Sequence, residues 1–222
     1  MRIAVLGADN SLGSKIVLKA EEQGIASVCV VGSFSNVAGN GKVLIKPCLD
    51  LTYEDIKDCH YVIDTVSFLS ISKFSSDDLP LWHLLEILKD SEVKLLELGS
   101  CTFLYSDNTR QRYVGSGDNE ILDDSELKHE RLCINAYKRL SLCKNVKWSV
   151  LCPPLLLDKD GYASGKFEFH DDVLPVGLEG DSFISEADFS SSVIELLKRI
   201  PKLHTCTSVR GLRVYADFVS FL

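Results

Sequence analysis

The stretch Ile3-Ala-Val-Leu-Gly7-Ala8-Asp9-Asn10-Ser11-Leu12-Gly13 decides the fold. Four apolar residues that read as a buried strand run without a spacer into a glycine. Four small or polar residues follow, and Leu12 then opens the rhythm of a helix that stops at Gly24. In a turn that carries a dinucleotide, the first glycine permits the bend and the last lets helix and strand pack closely, while amides of the first helical turn face the pyrophosphate. Gly7 and Gly13 stand at those outer positions. Asn10 takes the middle position, where glycine is usual, and a positive φ is expected of it because asparagine tolerates that region better than most residues. Gly7, Asp9, Asn10, Ser11, Leu12 and Gly13 are thus candidate phosphate-binding residues. The same spacing also makes a plain strand-to-helix turn with no ligand.

Outward from this turn, short apolar runs alternate with longer segments of helical period, which predicts a parallel sheet wrapped by helices. Strands are expected at Arg2–Leu6, Ser27–Val31, Lys42–Ile45, Tyr61–Val66, Val93–Leu98 and Val146–Cys152, and helices at Ser11–Gln23, Tyr53–Asp58, Asp78–Asp90 and Ser125–Cys143. The fold class is α/β, a Rossmann-like doubly wound parallel sheet. After Pro153-Pro154 the rhythm breaks into a Gly- and Asp-rich stretch, 158–172, and then an amphipathic helix ending near Arg199. One domain over 1–222 is expected, with a core of 1–152 and a small C-terminal, substrate-side annex over 153–222. The polar segment 106–124 reads as a long binding loop.

The 222 residues carry 24 Lys and Arg against 32 Asp and Glu, a net charge of −8, so the surface field repels phosphate backbones and anionic membrane. Nucleic acid and membrane are therefore excluded as expected partners, and a small-molecule substrate and a monomer or homodimer are anticipated. No apolar run reaches the ~20 residues of a membrane span. The chain opens directly on a strand with no signal-peptide pattern, which points to the cytoplasm. Eight cysteines form no Cys-x-x-Cys pair and five histidines are scattered, so buried thiols and no metal site are expected.

Beyond the opening turn, Leu95-Leu-Glu-Leu-Gly-Ser100, Trp148-Ser-Val-Leu-Cys-Pro-Pro154, Tyr162-Ala-Ser-Gly165 and Asp181-Ser-Phe-Ile-Ser-Glu-Ala-Asp188 follow in order. With Gly7-Ala-Asp-Asn-Ser-Leu-Gly13 in place of Gly-Ala-Thr-Gly-x-x-Gly, the chain resembles the atypical short-chain dehydrogenase/reductases. Members of that group are named NADH-flavin reductases, biliverdin-IXβ reductase-like proteins or NmrA-type proteins. The resemblance covers nearly the whole chain and implies NAD or NADP as cofactor. It places Cys48 and Leu49 near the adenine and the backbone of Thr65, Val66 and Ser67 beside the nicotinamide. Ser100 would orient the nicotinamide amide or a substrate carbonyl, Lys138 would stand near the active site, and Pro153 and Pro154 would border the substrate.

Several positions depart from that pattern. Gly32 stands where an Arg would clamp a 2′-phosphate, and Val31-Gly-Ser-Phe-Ser35 offers no Asp or Glu for a ribose, so NAD is slightly favoured over NADP. Ser33 and Ser35 could bond a ribose or phosphate, or simply form the turn. Lys42 is the alternative source of a phosphate clamp. Pro47 replaces an acidic residue near the adenine. The usual Tyr and Lys, four residues apart on one helix face, are absent, since Tyr137 and Lys138 are adjacent. Hydride transfer to a conjugated acceptor needs little acid catalysis, so reduction of a flavin, a quinone or a similar ring is the expected chemistry. A non-catalytic dinucleotide-binding redox sensor or partner-binding module, or a Rossmann domain without nucleotide, remain as alternatives.

Overall fold

The computed structural model describes residues 1–75, 77–116 and 124–212. Its central sheet has eight strands in the order β3-β2-β1-β4-β5-β6-β10-β8. These strands are β1 (Arg2–Leu6), β2 (Ala26–Val31), β3 (Lys42–Ile45), β4 (Tyr61–Asp64), β5 (Lys94–Leu98), β6 (Trp148–Cys152), β8 (Phe167–His170) and β10 (Cys206–Gly211). All are parallel except β8, which runs antiparallel to β10. A second pair, β7 (Leu156–Asp158) and β9 (Phe183–Ser185), lies in a separate small sheet.

Helices cover both faces because successive strand side chains point to opposite sides. Ile3 and Val5 of β1 face a core shared with Leu12, Ile16 and Val17 of α1 (Ser11–Glu22) and Phe189 and Val193 of α5 (Glu186–Lys198). Ala4 and Leu6 face the opposite core, with Leu81 and Leu84 of α3 (Pro80–Ile87) and Cys133 and Leu140 of α4 (Asp124–Leu142). The short α2 (Tyr53–Ile56) is held by a capping box between Thr52 and Asp55. Among the described residues, no helix is long and apolar enough to cross a membrane.

All six expected strands and four expected helices are present, with shifted ends. The fourth strand stops at Asp64 because that side chain turns back to accept the Val66 and Ser67 amides. The third expected helix starts at Pro80, whose fixed φ suits a first helical position, and is shorter than the expected Asp78–Asp90. Gly24 ends α1 at φ +69° as its position implies. Four strands escaped the sequence reading, β7 and β9 of the small sheet and β8 and β10 of the main one. β8 lies inside the Gly- and Asp-rich stretch, and β10 inserts beside β6, so the C-terminal segment completes the main sheet as well as forming the small one. Of the expected loop 106–124, residues 117–123 lie outside the described residues.

Candidate functional site

In a doubly wound sheet, ligands lie at the carboxyl ends of the strands where the strand order reverses. Here that point is the crevice between β1 and β4, with the glycine turn at its mouth. Gly7 has φ +72°, and a Cβ there would sit 2.7 Å from both Asn10 Nδ2 and Thr65 Oγ1. Such a conformation with such neighbours admits only glycine.

Asn10 corrects the expectation of a positive φ, for it lies at φ −82° and ψ 167° as the N-cap of α1. Its Oδ1 accepts from the Gly13 amide at 2.7 Å, while its Nδ2 donates to Thr65 Oγ1 at 2.7 Å and to Thr65 O at 3.2 Å. A capping side chain works from extended backbone, so the pull of the cap decides the conformation. Thr65 Oγ1 in turn donates to Leu6 O at 2.6 Å, tying the turn to the ends of β1 and β4. Replacing Asn10 by Ala should therefore cost about 1–2 kcal/mol, readable in urea unfolding, and unchanged stability would disprove the cap.

The amides of Ser11 and Leu12, at the first two helical positions, precede any acceptor within the helix and are the natural donors for a phosphate. Leu12 buries its side chain in the core, so only its backbone is available. The Ser11 hydroxyl is committed to the Glu186 carboxylate at 2.5 Å, and Lys15 Nζ meets the same carboxylate at 2.6 Å. Sequence reasoning missed Lys15 and Glu186, because the packing of α5 on α1 that joins them is a tertiary event. The two other family-like motifs also meet: Asp188 accepts from the Ser164 hydroxyl and amide and from the Gly165 amide at 2.7, 3.0 and 2.8 Å.

Of the residues expected near an adenosine, Ser35 Oγ donates to Asp9 Oδ2 at 3.0 Å, and Gly32 and Ser33 are exposed. Leu49 is also exposed. Burial, then the negative fields of Asp64 and Asp9, push the Cys48 thiol up to about 11, so it is no thiolate nucleophile at neutral pH. Lys42 opens β3 at the amino end of the sheet, where it lines a cavity with Arg2 and Asp58. That is the wrong end of a parallel strand for clamping a phosphate at the glycine turn.

Of the residues expected near a nicotinamide, Val66 packs on Gly7. The Ser67 hydroxyl is buried between Asp64 Oδ2 at 2.5 Å and the Leu81 amide at 2.9 Å, so it fixes the start of α3 and leaves only backbone for a ligand. Ser100 caps the single turn 101–103, accepting from the Thr102 amide and sharing a 2.7 Å bond with the Thr102 hydroxyl. Tyr137 stacks flat on Phe103 of that turn, with centroids 4.4 Å apart, and burial raises its phenol far above the usual value. Lys138 is exposed, its ammonium 5.7 Å from the centre of the Tyr113 ring. Pro153 and Pro154 are buried directly after β6.

No family model matches the chain. An uncharacterised Bacillus subtilis protein, YwnB, is 27% identical over 203 residues, covering 89% of this chain and 92% of its own. A crystal structure of a Streptococcus pneumoniae "putative NADH-flavin reductase" superposes with a TM-score of 0.86 at 19% identity, covering 96% of this chain and all of that one. The oxidoreductase ylbE of Lactococcus lactis superposes with a TM-score of 0.69 at 15% identity, covering 96% and 92% of the two chains. Sheet order, glycine turn and these superpositions together give the chain a Rossmann-like α/β fold.

Proposed function

We infer that the protein is an NAD(P)H-dependent oxidoreductase that passes hydride to a conjugated ring such as a flavin or a quinone. The observation that carries this reading is the Gly7–Gly13 turn, which presents the Ser11 and Leu12 amides at the carboxyl end of β1, beside the crevice to β4. This donor set fits a pyrophosphate. When bound, a reduced nicotinamide would supply the hydride, and the chain's part is to hold and orient it. Val66 and the backbone after β4 would back the nicotinamide, and Ser100 would orient its amide or the acceptor.

The acceptor class follows from the state of Tyr137. Tyr137, the tyrosine nearest in sequence to the family's acid position, is stacked and held as an unusually weak acid, so protonation of an alkoxide is not its role. A conjugated ring takes hydride without that help.

The test is oxidation of NADH or NADPH by purified protein with flavin mononucleotide or a soluble quinone, followed by the loss of nicotinamide absorbance. Ser100→Ala should lower the rate by roughly 3- to 30-fold, as expected for loss of an orienting hydrogen bond, and Lys138→Ala by less. Tight nucleotide binding without turnover of any such acceptor would favour the redox-sensor reading.

A further inference from the structure

We propose that Asp9, a residue of the glycine turn, selects NADH over NADPH by holding the adenosine ribose and repelling a 2′-phosphate. This rests on the dinucleotide-binding reading above. In Rossmann folds the acidic residue that takes this role ends the second strand, and here that position is Gly32. The carboxylate arrives instead from the first turn. Asp9 Oδ2 accepts from Ser35 Oγ at 3.0 Å, so the charge is tethered to the loop that follows β2. Its field also reaches Cys48, just after β3. Asp9 therefore lies among the carboxyl ends of β1, β2 and β3, where the ribose of a dinucleotide spanning this edge must pass.

A Cβ built on Gly32 meets nothing within 4 Å, which leaves room beside the carboxylate. One Asp9 oxygen accepts the hydrogen bond of the Ser35 hydroxyl, and the other can accept from a ribose hydroxyl. A 2′-phosphate entering the same space would meet like charge. Lys46, the cation directly after β3, cannot compensate, because its ammonium is held by Asp55 at 2.7 Å.

Calorimetric titration of the full chain with NADH and with NADPH tests the proposal, using the native protein, Asp9→Asn and Ser35→Ala. The native protein should bind NADH at least about tenfold more tightly than NADPH, the difference expected for one charge-assisted contact. Asp9→Asn should erase or reverse that ratio, chiefly by tightening NADPH, while the thermal midpoint without ligand stays unchanged. Ser35→Ala keeps the charge and should retain the preference with a smaller ratio. Equal affinities in the native protein, or an unaltered ratio in Asp9→Asn, overturn the role of Asp9 while leaving dinucleotide binding in place. Failure of the native protein to bind either nucleotide overturns both readings.

Discussion

Asp64→Ala is expected to lower the unfolding free energy by about 3–5 kcal/mol, measured by urea denaturation near neutral pH. Asp64 and Glu97 face each other in register on β4 and β5, and both are fully buried. Asp64 accepts the amides of Val66 and Ser67 at 2.7 and 3.2 Å and the Ser67 hydroxyl. Neither oxygen of Glu97 meets a donor at good hydrogen-bond geometry among the described residues, and the nearby Phe68 amide offsets only a small part of its burial. Two adjacent carboxylates without a cation cannot both ionise in so apolar a place, so the pair holds a proton. Burial, then the charge of Asp64, hold Glu97 well above the usual carboxylate range, and burial raises Asp64 despite its three bonds. A protonated Glu97 donates to Asp64, and removing Asp64 strips the donors of the turn and leaves Glu97 alone.

The same pair fixes the sign of a pH dependence. Both carboxyls bind their proton more tightly folded than unfolded, so the stability they contribute is complete below about pH 4. It declines as pH rises from there towards the folded values. Glu97→Gln keeps a donor for Asp64 and removes the titration of Glu97 while leaving that of Asp64. Its urea midpoint should therefore fall less between about pH 5 and pH 8 than that of the native protein, part of the change expected from linkage. Identical slopes in the two proteins would show that no shared proton exists.

These carboxylates show where sequence reading reaches its limit. Tyr61-Val-Ile-Asp and Leu95-Leu-Glu-Leu are legible as buried strands from their apolar runs. That Asp64 and Glu97 lie opposite each other depends on register, which no local pattern contains. The glycine turn was legible for the opposite reason, since its chemistry is local: a bend at Gly7 and close packing at Gly13. Even there the side chain of Asn10 overrode its backbone tendency, because capping Gly13 and bonding Thr65 outweigh a conformation asparagine merely tolerates. Asp9 reads from the sequence as part of the phosphate turn, because ribose recognition is sought after the second strand, whereas the fold delivers the carboxylate across the turn to Ser35. β8 was hidden by its setting, for Phe167-Glu-Phe-His alternates as a strand should but sits among turn formers. β10 pairs with a strand more than fifty residues earlier, as Cys206 with Val150, a partner that only the assembled sheet supplies.

Gly13→Ala should cost about 3 kcal/mol and lower the thermal midpoint by roughly 10 °C, the top of the range for overpacking in a chain of this size. A Cβ at this position would lie 2.2 Å from Gly7 O, 2.9 Å from Gly7 C and 3.1 Å from Ala8 Cα. All three are backbone atoms, which cannot rotate aside as a side-chain tip can. Relief requires α1 to lift from the turn, and that movement stretches the 2.7 Å bond from the Gly13 amide to Asn10. It also disturbs the contact of α1 with α5 that carries the Lys15–Glu186 ion pair. The intrinsic gain of alanine over glycine in a helix, up to about 1 kcal/mol, offsets only part of this. If the Ser11 and Leu12 amides hold a pyrophosphate, the displaced helix should also abolish any rise in thermal midpoint on adding NADH. Gly32→Ala, whose Cβ meets nothing within 4 Å, should leave the stability without ligand intact and serves as the control for the folding effect. A Gly13→Ala protein with the native midpoint and the native response to NADH would mean that the tight approach of α1 to the turn sets neither the fold's stability nor the nucleotide site.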